Sequence, residues 1–400
     1  GTNQGNPLGF IGNFNFFENM RHFRFYNPVK VLFGAGQIAN LASQIPQGSK
    51  VMMTYGGGSI KKNGIYQQVV KALEAFEFIE FSGIEANPKY ETLMRAVEIV
   101  RKEKVDFLLA VGGGSVIDGT KFIAAATYFE GEDPYAICTQ GTKVTKAVPF
   151  GTVLTLPATG SEMNNGAVIS RLSTQEKYAF ASSKTFPRFS ILDPTVTLTL
   201  PARQRANGVV DAFVHVTEQY LTYPVQADIQ DRFSESILQV LVDNGMKYVN
   251  DPDDMDVASN VMWACTMALN GLIAAGVPED WATHQIGHEI TALAGLDHAQ
   301  TLAIVWPGLQ RVMEEEKREK LLQFGRRVWN VDDAEAAIAK TEEFFRALGV
   351  GTRFSDYPSV GDADALISRI VERFKERGTM LGERADVGYE RIARILESRK

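Results

Sequence analysis

The stretch LLAVGGGSVIDGTKFIAAA, residues 108–126, decides the fold. It starts as an apolar run, passes through three consecutive glycines, and continues with apolar and small residues at helical spacing. A buried strand that turns directly into a helix is the repeating unit of parallel sheets that are covered by helices on both faces. This stretch therefore predicts an α/β architecture with a parallel sheet.

The three glycines, Gly112 to Gly114, also predict a binding function for this turn. Glycine lets backbone N–H groups approach a ligand closely, and a helix N-terminus favours negative charge. We interpret the turn as a cradle for a pyrophosphate, with Asp118 available to a hydroxyl or an amide of the same ligand. The alternative is a tight strand–helix turn that needs glycine for packing alone, and the motif departs from the GxGxxG pattern of standard dinucleotide turns.

Similar units occupy the first half of the chain, and the pattern changes near Leu200. The runs KVLFGAG (30–36), VMMTYGGGS (51–59) and FIEFSG (78–83) are strand-like and alternate with helical patterns. Helical patterns dominate after LTLPARQ (198–204). We predict an α/β domain over residues 20–199, an all-helical domain over residues 200–400, and the active site in the cleft between them.

Composition excludes several classes of function. The 400 residues carry a net charge of −7, and no basic stripe supplies the clustered Lys and Arg that nucleic acids require. No apolar run approaches the roughly 20 residues that span a bilayer, so no membrane partner is expected. Cys138 and Cys265 are isolated, which excludes a cysteine-built zinc site and fits a reducing cytoplasm. Residues 1–19 are interpreted as a leader or cloning remnant before a natural start at Met20.

A second glycine turn predicts which nucleotide binds. In YGGGSIKKNG, residues 55–64, the glycines and Ser59 are followed by Lys61 and Lys62, and no carboxylate is close in sequence. Dinucleotide folds place an acidic residue after a strand to hold the adenosine ribose of NAD, whereas the 2′-phosphate of NADP prefers small or basic groups. The turn favours NADP(H), although the two lysines alone are also typical of solvated surface charge.

Four of the five histidines predict a metal site. Asp211 and His215 share one face of a helical pattern, and His284 and His288 have the same spacing on a second helix that Gly295 closes. His298 follows in what we expect to be a loop. One carboxylate with two or three imidazoles suits Fe²⁺ or Zn²⁺. Because a catalytic site keeps an open position, one histidine is expected to have another role, and spacing alone leaves open which one.

Four motifs together resemble the iron-containing (group III) alcohol dehydrogenases. They are DAFVHVTEQY (211–220), HQIGHEITALAGLDHAQ (284–300), AVGGGSVIDGTKFIA (110–124) and LPATGSE (156–162). The resemblance is strongest to the bacterial branch of NADP-dependent aldehyde reductases and butanol dehydrogenases. It implies a Rossmann-like N-terminal domain, an all-helical C-terminal domain and a homodimer.

The resemblance also implies roles for individual residues. The metal ligands would be Asp211, His215, His284 and His298, and His288 would lie beside the nicotinamide, where it relays a proton or shapes the pocket. The implied cofactor contacts are Gly57, Gly58, Ser59, Gly113, Gly114, Ser115, Asp118, Thr155, Thr159, Asn164 and Lys177.

The resulting expectation is a cytoplasmic, metal-dependent oxidoreductase. It would transfer hydride between NADP(H) and a metal-coordinated small aliphatic aldehyde or primary alcohol. A glycerol dehydrogenase-like or dehydroquinate synthase-like enzyme is an alternative of the same superfold, although the latter needs a basic substrate pocket for which the motifs supply no cluster. A metal-dependent hydrolase would leave the glycine turns without a role, and a nucleotide sensor would not need the metal.

Overall fold

The computed structural model describes residues 19–400 and consists of a sheet half followed by a helical half. All but the last residue of the interpreted leader, 1–19, lies outside the described residues. The parallel sheet followed by helices confirms the predicted fold class. None of the helices within 19–400 is long and apolar enough to cross a membrane.

Eight strands occur in the first half of the described chain. They are β1 (Lys30–Phe33), β2 (Lys50–Thr54), β3 (Glu77–Phe81), β4 (Phe107–Gly112), β5 (Phe150–Leu154), β6 (Gly166–Arg171), β7 (Glu176–Ala181) and β8 (Phe189–Leu192). The α-helices of this half are α1 (Ser59–Lys62), α2 (Ile65–Ala72), α3 (Tyr90–Glu103), α4 (Gly114–Ala126) and α5 (Ala136–Thr139). Short 3₁₀ turns cover Gln37–Gln44, Ser161–Met163, Leu172–Thr174 and Pro194–Thr199.

The second half is helical. Its α-helices are α6 (Ala202–Tyr220), α7 (Asp228–Asn250), α8 (Met255–Met267), α9 (Ala282–Ala294), α10 (His298–Val312), α11 (Glu314–Phe324), α12 (Ala334–Ala347), α13 (Ala363–Arg377) and α14 (Tyr389–Glu397). A π-helical turn covers Gly325–Trp329, and 3₁₀ turns cover Phe354–Asp356 and Pro358–Val360.

The main sheet has the order β1-β8-β5-β4-β2-β3, and every neighbouring pair is parallel. All six residues of β4 are buried, as expected for a central strand of a sheet that is covered on both faces. The two glycine turns follow β2 and β4, which are adjacent strands. They therefore lie side by side at the carboxyl edge of the sheet, where open α/β sheets bind their ligands.

A two-stranded antiparallel hairpin, β6 and β7, connects the two halves of the molecule. Strand β6 packs against α4 of the sheet half, and β7 packs against α9 of the helical half. The sequence of β7 lacks a recognisable strand pattern. In EKYAFA the buried residues are Lys177 and Phe180, which do not alternate, so the usual period of two is absent.

Candidate metal and nucleotide site

Helix α6 is the central element of the helical half and carries the first two predicted ligands. Every residue from 208 to 220 is buried, because α6 packs against α7, α8 and α10. Asp211 and His215 are one turn apart, and their side chains point to the same place, with His215 Nε2 3.3 Å from Asp211 Oδ1.

The other two predicted ligands come from α9 and α10. Helix α9 carries His284 and ends as predicted at Gly295, which has a φ of 73°. His298 was predicted to lie in a loop, but it is the first residue of α10. That helix starts here because Asp297 and Gln300 form a capping box, which satisfies two backbone donors of its first turn.

The structure brings Asp211, His215, His284 and His298 together. Their potential ligand atoms all lie within 4.8 Å of one another. Asp211 Oδ1 is 3.1 Å from His298 Nε2 and 3.8 Å from His284 Nε2. In a tetrahedral site with bonds of about 2.0–2.1 Å, neighbouring ligand atoms are about 3.3 Å apart.

The donor set fits a divalent transition metal. Asp211 Oδ1 and His284 Nε2 are buried and have no hydrogen-bond partner, although they converge on the same point. Buried polar atoms without a partner are costly unless a ligand satisfies them. The His298 side chain is 23% exposed while the Asp211 side chain is 3% exposed, so the cluster is most open on the His298 side.

The electrostatics of the cluster also favour a cation. Burial raises the pKa of Asp211, but His215 and His298 outweigh it and hold this pKa well below its usual range. Burial lowers the pKa of His215 to about 3, so its imidazole is neutral and available as a ligand. Burial alone would lower the pKa of His284, yet the carboxylates of Asp211 and Glu218 on either side of its ring raise it to about 9. Two carboxylates thus favour positive charge at His284, which a metal cation bound at Nε2 would supply.

His288 lies one turn after His284 and is set apart from the four-residue cluster. Its ring stacks near that of His298, with centroids 5.7 Å apart, and its Nδ1 is buried without a partner. Burial, followed by the charge of Lys177, holds the pKa of His288 well below its usual range. The side chain is thus a neutral imidazole next to the cluster, on the side of Lys177.

The two glycine turns are glycine-rich for different reasons. A Cβ on Gly114 would lie 2.3 Å from Thr159 Oγ1, and one on Gly112 would lie 2.6 Å from Val116 Cγ2. Packing alone therefore requires glycine at both positions. By contrast, a Cβ on Gly57 or Gly58 would meet nothing within 4 Å, so their backbone faces open space. The first turn of α4 has no side-chain cap, so its backbone N–H groups can bind an anion. Together, the two glycine turns fit a dinucleotide.

The predicted cofactor residues of the sheet half lie around α4 and the segment that follows β5. Asp118 accepts hydrogen bonds from Ser161 Oγ at 2.6 Å and from the Val168 N–H at 3.0 Å. Asn164 donates to the carbonyls of Gly160 and Leu269. The side chains of Asp118 and Asn164 thus hold this segment in place. Each of them already has hydrogen-bond partners within the protein.

The other predicted cofactor contacts lie near the glycine turn between β4 and α4. The Thr155 N–H donates to the carbonyl of Gly112, which joins β5 to the first glycine turn. Lys177 Nζ donates to Asn87 Oδ1 at 2.9 Å, and the Asn87 N–H donates to Ser115 Oγ at 3.3 Å. Lys177 therefore connects the β6–β7 hairpin to the start of α4.

The fold places a carboxylate near the second glycine turn that its sequence does not contain. Because β3 pairs with β2, Glu80 lies beside Tyr55 and accepts hydrogen bonds from the hydroxyls of Tyr55 and Tyr66. Lys61 lies over both rings, 5.6 Å and 5.0 Å from their centroids. The two tyrosines near this turn thus contact both an acidic residue, Glu80, and a basic residue, Lys61.

Sequence reasoning missed several groups that hold the site. Glu218 accepts hydrogen bonds from both the ring and the backbone N–H of His284. Lys121 is fully buried and donates to Ser161 Oγ and Asn164 Oδ1. The spacing of Glu218, three residues after His215 on α6, was the available signal for the first of these. Lys121 gave no comparable signal, because its acceptors are distant in sequence.

Comparisons with known proteins agree with this architecture. The family described as "Iron-containing alcohol dehydrogenase" matches residues 28–194, and "Fe-containing alcohol dehydrogenase family, C-terminal" matches residues 205–375. The chain is 55% identical to the NADPH-dependent aldehyde reductase YqhD of Escherichia coli strain K12, over 95% of this chain and 100% of that protein. It is 39% identical to the probable NADH-dependent butanol dehydrogenase 1 of Bacillus subtilis strain 168, over 95% of this chain and 100% of that protein.

A crystal structure of E. coli K-12 YqhD superposes with a TM-score of 0.93 at 54% identity, covering 96% of this chain and 100% of that one. The chain belongs to the iron-containing alcohol dehydrogenase family. The predicted resemblance is thereby confirmed.

Proposed function

We propose that this protein is a metal-dependent NADP(H) alcohol dehydrogenase that acts as an aldehyde reductase on small aliphatic aldehydes. The observation that carries the proposal is the convergence of Asp211, His215, His284 and His298 within 4.8 Å, in a chain that also has two adjacent glycine turns. We place the site in the cleft between a domain of residues 20–199 and a domain of residues 200–400.

The proposed chemistry divides between the two halves. When bound, the metal supplies Lewis-acid polarisation of the substrate oxygen and the nicotinamide supplies the hydride. Asp211 and the three imidazoles hold the metal, and the glycine turns with Lys177 hold and orient the dinucleotide. We assign the catalytic role to His288 because its ring lies beside the cluster, 5.7 Å from the ring of His298, where it can relay a proton towards the product oxygen.

NADP(H) is the proposed cofactor because of the second glycine turn. Gly57, Gly58 and Ser59 present backbone and a small side chain, and Lys61 and Lys62 follow. Glu80 accepts hydrogen bonds from two tyrosine hydroxyls, and Lys61 lies over the rings of the same two tyrosines. The E. coli relative is named as NADPH-dependent, whereas the B. subtilis relative is named as probably NADH-dependent, so the family alone does not decide this point.

The remaining proposals concern the setting of the enzyme. We propose a homodimer, supported by the edge of β1 that no strand within residues 19–400 covers and by aromatic side chains near it. We also propose a cytoplasmic location, supported by two isolated free cysteines.

The test of the function is oxidation of NADPH compared with NADH, with butyraldehyde as substrate. The protein is first stripped of metal and then reloaded with Fe²⁺ under anaerobic conditions or with Zn²⁺. We expect turnover only after reloading, with kcat/KM at least about tenfold higher for NADPH, which corresponds to about 1.4 kcal/mol. A His215→Ala variant treated in the same way is the control and should stay inactive. No oxidation of either cofactor with any metal or short aldehyde, together with metal-restored hydrolysis of a p-nitrophenyl ester, would instead favour the hydrolase.

A further inference from the structure

A buried carboxylate outside the ligand cluster holds one of the ligands. Glu218 Oε2 lies 3.0 Å from His284 Nδ1 and also accepts the backbone N–H of His284 at 3.1 Å. Glu218 itself is only 2% exposed. It lies on α6 three residues after His215 and seven after Asp211, on the same face of the helix. One helix therefore carries two predicted ligands and the group that holds a third.

The hydrogen bond decides how His284 presents its ring. Glu218 is an acceptor, so His284 Nδ1 carries the proton and His284 Nε2 presents its lone pair. That Nε2 is the buried atom without a partner that faces Asp211. Glu218 thus selects the tautomer that a metal requires.

A second set of contacts fixes the start of α9. The Asp280 N–H donates to the Glu218 carbonyl at 2.8 Å, and Asp280 Oδ1 accepts from the N–H of Ala282, the first residue of α9. Asp280 Oδ2 in turn lies 2.9 Å from the Nζ of Lys317, whose side chain is 1% exposed. The backbone that carries His284 is therefore held near Glu218 independently of any metal.

We propose that Glu218 is a positioning residue that orients His284 and fixes its tautomer for metal binding. The inference rests on the proposed function, because it takes the four-residue cluster to be a metal site. The geometry supports it: Glu218 accepts hydrogen bonds from both the ring and the backbone N–H of His284. Carboxylates that hold a metal-binding imidazole in this way contribute about 10- to 100-fold to metal affinity.

The test measures metal affinity rather than turnover. Metal-free wild type, Glu218→Gln and Glu218→Ala are titrated with Zn²⁺ against a chromophoric chelator, and the absorption spectrum of bound Co²⁺ reports the ligand geometry. We expect about tenfold weaker Zn²⁺ binding for E218Q, about 100-fold weaker binding for E218A, and a changed Co²⁺ spectrum in both. Zn²⁺ binding by a folded E218Q and E218A within twofold of wild type, with the same Co²⁺ spectrum, would overturn the inference.

The matched control is Glu235→Gln. Glu235 is also buried, but its partners are Tyr220, Gln323 and Arg327, and it touches none of the four clustered side chains. E235Q should bind Zn²⁺ like wild type. Circular dichroism of the metal-free proteins checks folding, and E218Q, which keeps the side-chain volume, carries the test if E218A does not fold. A wild type that takes up no Zn²⁺ would overturn the proposed function itself, whereas equal binding by wild type and variants overturns this inference alone.

Discussion

Lys177 is a buried cation whose side chain has few partners in the protein. Its side chain is buried, and Asn87 is its one hydrogen-bond partner within the described residues. Burial lowers the pKa of Lys177 from 10.5 to about 8, although Asp118 and Asp211 oppose the effect. A shift of this size corresponds to about 3 kcal/mol at neutral pH. A buried cation beside the glycine turn at the start of α4 is suited to an anionic ligand.

We therefore predict that Lys177→Met stabilises the ligand-free protein by about 1–3 kcal/mol at pH 7 and raises KM for NADPH about tenfold. Between pH 8 and about 10.5 the unfolded chain holds the Lys177 proton and the folded chain does not, so rising pH favours the folded state. The advantage of K177M should be greatest below pH 8 and vanish near pH 10.5. Urea unfolding across this pH range measures it.

Lys121→Met is the contrasting control. The pKa of Lys121 is also lowered by burial to about 8, but Lys121 donates to four oxygens, including the carbonyls of Ser161 and Gly166. Removing the ammonium leaves these buried acceptors without a donor, so K121M should be destabilised by about 1–3 kcal/mol. Equal destabilisation of both variants would contradict the interpretation of Lys177.

At the scale of elements, helix α13 fastens the hairpin of the sheet half to α9. Arg373 and Arg377 bind opposite oxygens of buried Glu289, the residue after His288. Arg373 also donates to the Gln175 carbonyl at the hairpin turn, and Arg377 lies 5.5 Å from the ring centroid of Tyr178. The hairpin that carries Lys177 is thus held against the helical half by two cations.

We predict that the double variant Arg373→Ala with Arg377→Ala loses about 3 kcal/mol or more of unfolding free energy, because it leaves the Glu289 carboxylate buried and unpaired. KM for NADPH should rise about tenfold, while Zn²⁺ affinity should change less than twofold because no metal ligand is touched. Adding Glu289→Gln should restore part of the stability. Arg369→Ala is the control with little effect, since Arg369 is exposed and its side chain donates to that of Gln175 at the protein surface. A hairpin that did not depend on these arginines would leave KM unchanged in the double variant.

The elements also show which features the sequence could predict. Strands β2 and β4 were recognisable because they are buried, mostly apolar and closely followed by glycine. Strand β7 was not, because its buried residues, Lys177 and Phe180, do not alternate. His298 was predicted in a loop because only two residues separate it from Gly295, yet the Asp297 and Gln300 capping box starts α10 there.

Contacts between distant segments were the features that the sequence could not predict. The grouping of Asp211, His215, His284 and His298 was an exception, because helical spacing and the resemblance indicated it. Glu80 beside Tyr55 depends on the pairing of β2 with β3, and Glu289 with Arg373 depends on the packing of α9 with α13. Local sequence patterns do not indicate such contacts, because the contacts depend on tertiary packing.

At the scale of the whole molecule, the four clustered side chains and the glycine turns lie in separate halves. All four clustered side chains come from α6, α9 and α10, whereas the glycine turns and Lys177 belong to the sheet half. The proposed hydride transfer therefore requires the two halves to stay in contact. The hairpin β6–β7 is one link, and the hydrogen bond from Thr266 Oγ1 to Glu162 Oε1 at 2.6 Å is another.

The exposed edge of the sheet predicts how two copies of the chain associate. Strand β1 pairs only with β8, so its other edge has unpaired backbone groups among the described residues. Tyr26 is 77% exposed and Phe25 is 48% exposed just before this strand. The segment is held in place by Asn27, whose side chain donates to the carbonyls of Met163 and Asn270. A fixed aromatic patch beside a free strand edge is suited to a self-complementary interface.

We predict that wild type sediments at twice the mass of one chain and that Phe25→Asp with Tyr26→Asp sediments as a monomer at micromolar concentration, because two buried carboxylates would face each other across the symmetric interface. Leu172→Asp is the matched control, since Leu172 is 59% exposed on the hairpin, away from β1, and this variant should stay dimeric. Zn²⁺ affinity should be unchanged in all three proteins, because the four clustered side chains belong to one chain. A monomeric wild type would contradict the proposed homodimer, and a double variant that remains dimeric would place the interface on another surface.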